Sequence, residues 1–173
     1  MSIHELIRVV APPATPIAPG GEQELQAAIS KCGLRLPADL FDIAATYGSG
    51  EFYNGAIEVY NPFTDRYKAR VEGELDRLRE GLQRGAEFPY GVHPVSPGLF
   101  PWGADDNDNA MFWLTEGSPE HWPVVVKTAE DQFEKWEMAV TTFLAQALTN
   151  RIKSILWQTP FRQDKLTFKS RAR

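Results

Sequence analysis

The feature that most constrains the fold of this chain is a β-hairpin predicted over residues 99–116. This stretch reads LFPWGADDNDNAMFWLTE: a short aromatic segment, a turn rich in Gly, Asp and Asn, and a dense apolar run. Turn residues between two apolar segments are typical of antiparallel strands joined by a tight loop. The turn also carries three carboxylates, Asp105, Asp106 and Asp108, which repel one another unless water, a cation or a basic partner is close.

The distribution of charge separates the body of the chain from its last residues. The 173 residues carry a net charge of −5. Residues 1–150 hold 11 Lys and Arg against 22 Asp and Glu, whereas residues 151–173 hold 7 against 1. An acidic body argues against nucleic-acid binding by this part of the chain and predicts a basic protein partner or none. The basic tail could contact nucleic acid or an anionic surface, but the preferred expectation is a solvated terminus or a segment that folds back on the acidic body.

Cysteine content and hydropathy predict a soluble cytoplasmic protein. Cys32 is the single cysteine, which excludes an intramolecular disulfide framework and suits a reducing compartment. Glu5 and Arg8 interrupt the N-terminal apolar patch, so no signal peptide is expected. The longest uncharged run, residues 138–150, is too short and too polar to cross a bilayer, and no membrane association is predicted.

Hydrophobic periodicity predicts an α+β fold. Three strands follow one another late in the chain and are joined by tight loops, so they should pair antiparallel. We therefore expect a small, mainly antiparallel sheet of about four or more strands, with helices packed on one face. The predicted helices span 22–32, 38–47, 65–84 and 131–148, with a possible extension of the last through residue 157; the predicted strands are 57–60, the two arms of the hairpin, and 122–127.

Composition divides the chain into three parts. Residues 11–21 read APPATPIAPGG, and such a run of prolines and glycines predicts an extended linker. The first ten residues, a short helix or strand, are then expected to be an appendage. We predict an N-terminal arm and linker at 1–21, one domain at 22–150, and a basic C-terminal extension at 151–173.

The turn of the hairpin also resembles a calcium-binding loop. Counted from Asp105, oxygen-bearing side chains fall at positions 1, 3, 5 and 12 of an EF-hand, the last being Glu116. Position 6, however, is Ala110, where the loop needs glycine, and the next four residues are Met-Phe-Trp-Leu, typical of a buried strand. A solvated turn is therefore the preferred interpretation, and no metal ligands are predicted.

No spacing in the sequence selects a catalytic group. His4, His93 and His121 lie outside any metal-protease, hydrolase or thiol-paired motif. Glu51 and the carboxylates of the turn could supply an acid–base pair, but no pattern chooses two of them. There is no glycine-rich phosphate loop. We therefore predict a protein that is not an enzyme and holds no cofactor.

Three segments occur in a set order along the chain: LRLPADLFDIAATYGSGEF (34–52), LFPWGADDNDNAMFWL (99–114) and VVVKTAEDQFEKWEMAVTTFLAQAL (124–148). Together they resemble signatures of the SUKH superfamily, the Smi/Knr-type family of the yeast cell-wall assembly regulator and of many bacterial toxin-immunity proteins. The resemblance covers roughly residues 22–148. The chain departs from the family pattern at Asp108-Asn109, where the family commonly has Gly-Asp, and in the proline-rich arm, the charged helix 65–84 and the tail.

The resemblance implies an intracellular α+β domain that binds another protein and performs no chemistry. Many bacterial members neutralise a cognate polymorphic toxin, often a nuclease, and an acidic protein can steer onto the basic surface of such a toxin. One alternative is a regulatory or scaffold SUKH domain without a toxin. A small carboxylate-dependent hydrolase or a calcium-binding protein is the other, and is less favoured.

The predicted partner surface combines acids, which would pair with Lys or Arg, and aromatic side chains, which would anchor its centre. Of the tryptophans, Trp113 and Trp136 are expected to face the core. The predicted partner-binding residues are Glu51, Phe52, Trp102, Asp105, Asp106, Asp108, Glu116 and Glu120.

Overall fold

A computed structural model describes residues 3–21, 24, 27 and 33–172 of the chain. Within these residues four α-helices accompany one eight-stranded sheet. The predicted α+β fold with a mainly antiparallel sheet is therefore confirmed. The helix predicted at 22–32 lies, apart from residues 24 and 27, outside the described part of the chain, and Cys32 lies outside it too.

The elements alternate along the chain, with most strands in the middle. Single 3₁₀ turns occupy Tyr53–Gly55, Pro119–His121 and Gln163–Lys165. The helices are α1 (Ile3–Val9), α2 (Ala38–Tyr47), α3 (Tyr67–Gln83) and α4 (Val140–Leu148). The strands are β1 (Gly50–Phe52), β2 (Ile57–Val59), β3 (Gly91–Val92), β4 (Gly98–Asp105), β5 (Ala110–Leu114), β6 (Val124–Lys127), β7 (Phe133–Trp136) and β8 (Phe168–Ser170).

The sheet is built around the predicted hairpin of β4 and β5. Its strand order is β7-β6-β5-β4-β2-β1-β8, with every neighbouring pair antiparallel, while the short β3 pairs parallel with β4. The hairpin pairs Leu99 with Leu114 and Ala104 with Ala110, and a bulge between Pro101 and Gly103 shifts the register. This register places the Asp-rich turn at one end of the central strand pair.

Helices lie on both faces of the sheet. Tyr47 of α2 packs against Phe52 of β1, with ring centroids 4.9 Å apart, and Phe143 of α4 packs against β7. Because side chains alternate along a strand, Glu58 points to the opposite face from its neighbours in β2. Arg70 of α3 bonds to Glu58, so α3 lies on that opposite face. Three of the described helices share one face, and α3 covers part of the other.

The centre of the core is aromatic. Trp102 and Trp113 are fully buried, with ring centroids 6.3 Å apart, and the indole Nε1 of Trp102 donates to the carbonyl of Phe112 at 2.9 Å. Trp113 faces inward as predicted. Trp136 is half-buried and packs against Phe143. A buried indole stabilises only when its N–H finds an acceptor, which the strand carbonyl supplies here.

The helix predicted at 131–148 is wrong in its first part. Phe133–Trp136 forms β7 at the edge of the sheet, and helix α4 begins only at Val140. The chain does not continue as a helix beyond Leu148 either, and Asn150 has a positive φ of 58°. Pairing of β7 with β6 satisfies a row of backbone groups at the sheet edge, and this outweighs the helical spacing of the apolar residues.

The N-terminal arm is part of the core, so the expectation of an appendage is wrong. Leu6 and Val10 are buried, and the hydroxyl of Tyr47 donates to the carbonyl of Val10 at 2.7 Å. Gly48, with a φ of 69°, approaches the linker so closely that a Cβ there would lie 2.3 Å from the Ile17 carbonyl oxygen. These contacts fix the proline-rich run against the end of α2.

The basic extension folds back on the acidic body, which is one of the alternatives predicted from the sequence. Strand β8 pairs with β1, with Gly50 opposite Ser170 and Phe52 opposite Phe168. Arg151 also lies 3.5 Å from Glu5 of the N-terminal helix. No helix in the described part of the chain is long and apolar enough to span a membrane.

Candidate functional site

The turn between β4 and β5, residues 105–109, is held in shape by its own side chains; we call it the acidic turn. Asp105 Oδ1 accepts the backbone N–H groups of Asn107 at 2.9 Å and Asn109 at 3.1 Å, and its Oδ2 accepts Asn109 Nδ2 at 2.8 Å. Asn109 Oδ1 in turn accepts the N–H of Ala129 at 3.0 Å. Short polar side chains that bond to nearby backbone groups stabilise turns in this way.

Two carboxylates of the acidic turn project into solvent. Asp106 and Asp108 are exposed, and Asp108 occupies the left-handed region with a φ of 59°. Among the residues that the structure describes, neither carboxylate forms an ion pair. The turn therefore presents negative charge that no ion pair within the described residues neutralises.

An open cavity of about 380 Å³ lies beside the acidic turn; we call it the acidic hollow. The backbone N–H of Asp106 donates to the carbonyl of Ala56 at 3.3 Å, which fixes the turn against one wall. Among the described residues, four carboxylates and one guanidinium line the cavity, so its charge favours a cationic occupant. The lining residues are Glu51, Gly55, Ala56, Glu58, Ala104, Asp105, Asp106 and Arg171.

The sheet register creates the acidic hollow. Glu51 of β1 lies directly opposite Glu58 of β2, and like charges in such positions repel. Each carboxylate has its own guanidinium: Arg171 Nε lies 2.9 Å from Glu51 Oε2, and Arg70 Nη2 donates to Glu58 Oε2 at 2.6 Å. The side chain of Glu51 is only 5% exposed, so an ionic partner is essential there.

The structure brings together four of the eight predicted partner residues. Glu51, Asp105 and Asp106 line the acidic hollow, and Asp108 lies on the adjoining turn. Glu116 and Glu120 follow the far end of β5, roughly 15 Å along the strand direction from the turn. The predicted acidic surface is thus divided between the two opposite ends of the β4–β5 hairpin.

Glu120 has a structural role at its end of the sheet. Its Oε2 accepts the backbone N–H of Ala38, the first residue of α2, at 3.2 Å. Its Oε1 lies 3.3 Å from Arg35 Nη2. A carboxylate at a helix N-terminus interacts favourably with the unpaired N–H groups there, so Glu120 is explained without a partner.

Phe52 and Trp102 are corrections to the predicted partner surface. Both are 0% exposed. Phe52 packs between Tyr47 and Phe168, and Trp102 packs edge-on against Phe143. Both residues face the side of the sheet that carries α2 and α4. Glu51 is also buried, and it is one of the residues that line the acidic hollow.

The sequence interpretation missed Glu58, Arg70 and Arg171. Glu58 carried a usable signal, since it alternates with the apolar Ile57 and Val59 and so had to face away from them. Arg171 carried none, because the tail shows no periodicity. Its place at the hollow follows from the pairing of β8 with β1, which lies far away in sequence.

The geometry offers little for metal binding. Among the described residues, no group of three or more His, Cys, Asp or Glu side chains is arranged to hold a metal ion. Both oxygens of Asp105, the first position of the calcium-loop alternative, already accept hydrogen bonds from the turn. A metal ion bound to Asp105 would have to displace these hydrogen bonds. A cationic side chain can enter the hollow without displacing them.

A second cavity, of about 330 Å³, lies between α3 and the start of β4. Val71, Leu75 and Phe100 contribute apolar surface, while the rim holds both acids and bases, including Lys68 at 3.6 Å from Glu72. Burial, with the Arg79 charge, lowers the pKa of His93 at its edge. This mixed rim favours neither cations nor anions, so the acidic hollow remains the more selective site.

No protein-family model, curated protein or solved structure matches this chain. The function of this chain is therefore inferred from the motifs in its sequence and from the geometry of the acidic turn and hollow.

Proposed function

We propose that this chain is a non-enzymatic binding protein of the SUKH type, an immunity protein that neutralises a cognate toxin domain in the cytoplasm. Its acidic turn and acidic hollow would contact a basic surface of the toxin, such as the phosphate-binding surface of a nuclease. The observation that carries the proposal is the acidic turn: Asp105 locks its backbone, while Asp106 and Asp108 remain exposed without an ion-pair partner in the described part of the chain.

Preorganisation is the physical reason to favour this surface. A turn that is already fixed loses little conformational freedom on binding, so more of the interaction energy remains as affinity. Exposed carboxylates at the tip of a rigid hairpin also steer a basic partner during encounter and speed its association. The hollow beside the turn can then receive one Lys or Arg side chain of the partner.

Co-expression with toxins encoded by neighbouring genes tests the proposal. The wild-type chain should rescue growth of cells that produce the cognate toxin domain, and the two proteins should co-purify. The decisive variant is Asp106→Lys/Asp108→Lys, which reverses the exposed charge but leaves Asp105 in place. The matched control is Glu80→Lys/Glu87→Lys, which makes the same change in net charge at exposed positions in and after α3.

Binding kinetics at several salt concentrations separate the outcomes. We expect the turn variant to associate at least about tenfold more slowly and to show a weaker salt dependence. The control should retain at least the wild-type salt slope. An unchanged rate and slope in the turn variant would exclude the acidic turn as the interface. A cellular partner without any toxin would support a scaffold role, and tight stoichiometric calcium binding would support the metal-dependent alternative.

A further inference from the structure

The acidic hollow already holds one cation, and this cation comes from the chain itself. Arg171 follows directly after β8 and lies with its Nε 2.9 Å from Glu51 Oε2. Its side chain is 37% exposed and lines the hollow together with Asp105 and Asp106. The guanidinium therefore has the position and charge that a basic side chain of a partner would need.

The strand that delivers Arg171 is attached at a single edge. The three residues of β8 pair only with β1 among the described strands, flanked by bonds from Arg171 N to Ser49 O at 3.0 Å and from Tyr53 N to Thr167 O at 2.8 Å. Phe168 is partly buried, with its ring 4.9 Å from that of Phe52. Short edge segments of this kind open at lower free energy than the interior strands of a sheet.

The chain before β8 permits such a release. Between α4 and β8 the chain has no α-helix or strand, and its one regular feature is the 3₁₀ turn Gln163–Lys165. Detaching β8 breaks no contact between β1 and β2 or between the strands of the central hairpin. The rest of the sheet can therefore stay intact while the hollow opens.

We propose that β8 and Arg171 act as an internal competitor that occupies the acidic hollow in the free protein and yields it to a basic side chain of the partner. This inference rests on the proposed function, because it concerns the regulation of that same surface. Exchange of one guanidinium for another cation keeps Glu51 paired in both states. That matters because a buried carboxylate without a counter-charge is strongly destabilising.

The other charges around Arg171 support this exchange. Glu58, Asp105 and Asp106 face the same hollow, and Arg70 is bonded to Glu58 on the α3 side. Without Arg171 the hollow gains one net negative charge. Only open molecules bind the partner, so the apparent affinity is the intrinsic affinity multiplied by the fraction of open molecules. Weakening the internal contact increases that fraction and should raise the apparent affinity.

A matched pair of variants tests the competitor with a defined probe, a fluorescent tetra-arginine peptide. Arg171→Gln and Arg162→Gln each remove one positive charge from the C-terminal extension, but Arg162 is 62% exposed and pairs with Asp164 away from the hollow. By anisotropy titration, Arg171→Gln should bind the peptide about fivefold more tightly than wild type, because closed molecules become rarer. Arg162→Gln should stay within about twofold of wild type.

Hydrogen exchange on the wild-type protein provides a second readout that needs no variant. Saturating peptide should accelerate exchange of the Tyr53 and Arg171 amides, whose acceptors lie across the β1–β8 edge, while amides of β5 stay protected. Unchanged exchange at saturation, or an Arg171→Gln variant that binds no more tightly than Arg162→Gln, overturns the inference. So does failure of every variant to bind the peptide. The proposed function is judged separately, by growth rescue and the Asp106→Lys/Asp108→Lys variant.

Discussion

The acidic turn depends on one carboxylate, and Asp105→Ala is the substitution that tests this. The alanine removes three hydrogen bonds of 2.8–3.1 Å at once, from the backbone of Asn107 and from the backbone and side chain of Asn109. Hydrogen bonds to a charged acceptor are worth about 1.5–3 kcal/mol when buried, and less at a partly exposed site. We expect Asp105→Ala to lower the free energy of unfolding by about 2–3 kcal/mol.

Two further variants calibrate this effect. Asp105→Asn keeps an oxygen that can accept both backbone N–H groups, so its cost should be about 1 kcal/mol. Asp106→Ala removes an exposed carboxylate with one side-chain bond of 3.2 Å, to Asn107, and should stay within about 0.5 kcal/mol of wild type. The order of stability is therefore wild type, Asp106→Ala, Asp105→Asn and Asp105→Ala.

Urea unfolding followed by tryptophan fluorescence measures the series, since Trp102 and Trp113 are buried in the folded protein. In thermal unfolding, the expected loss for Asp105→Ala corresponds to a fall in Tm of about 4–12 °C for a domain of this size. If Asp105→Ala unfolds within about 0.5 kcal/mol of wild type, Asp105 does not hold the turn. The acidic turn would then not be preorganised for partner binding.

Four other substitutions test contacts in the core and in the helices. Gly48→Ala should lower the free energy of unfolding by more than about 2 kcal/mol, because its Cβ would lie 2.3 Å from the Ile17 carbonyl oxygen. In Gly73→Ala the new Cβ meets nothing within 4 Å, so thermal unfolding should show a gain in stability of up to about 1 kcal/mol. Burial, and secondarily nearby carboxylates, raises the pKa of Asp39 above its unfolded value of 3.8, so stability falls as pH rises through the folded-state pKa. Asp39→Asn removes that loss and should therefore stabilise the protein more at about pH 7 than at about pH 4 in urea titrations, and a pH-independent difference would contradict this reasoning. Trp102→Phe removes the indole N–H that donates to the carbonyl of Phe112, and leaves this buried carbonyl without that donor. The free energy of unfolding in denaturant should fall by about 2 kcal/mol.

The elements that could be predicted from the sequence are those specified by local patterns. The predicted helix 38–47 coincides with α2, and the predicted helix 65–84 contains α3 with two extra residues at its start and one at its end. The hairpin was readable because its turn residues and flanking apolar runs agree. In each case the residues that set the structure lie within one segment, so no distant contact has to be known.

The elements that were missed are set by pairing across the sheet. Phe133, Trp136 and Val140 fit a helical spacing, yet the edge of β6 draws the first two into β7. Strand β8 is three residues long and carries no pattern of its own; its structure comes from pairing with β1, which lies far away in sequence. Sequence periodicity contains no information about such long-range pairings.

The candidate site shows the same division. The charge of Asp105, Asp106 and Asp108 was apparent because the three residues share one turn. The assembly of Asp105 and Asp106 with Glu58 and Arg171 into a single hollow comes from the register of three strand pairs. Composition thus identified the sign of the surface, and only the register revealed its shape and its internal guanidinium.

The pairing of β8 with β1 also affects how this protein emerges from the ribosome. About 120 residues separate Gly50 from its pairing partner Ser170. At translation rates of roughly 5–20 residues per second, the outer edge of β1 stays uncovered for roughly 6–24 s. A nascent chain with a bare strand edge can pair with its neighbours on a polysome, so β1 carries this risk until Ser170 has been synthesised.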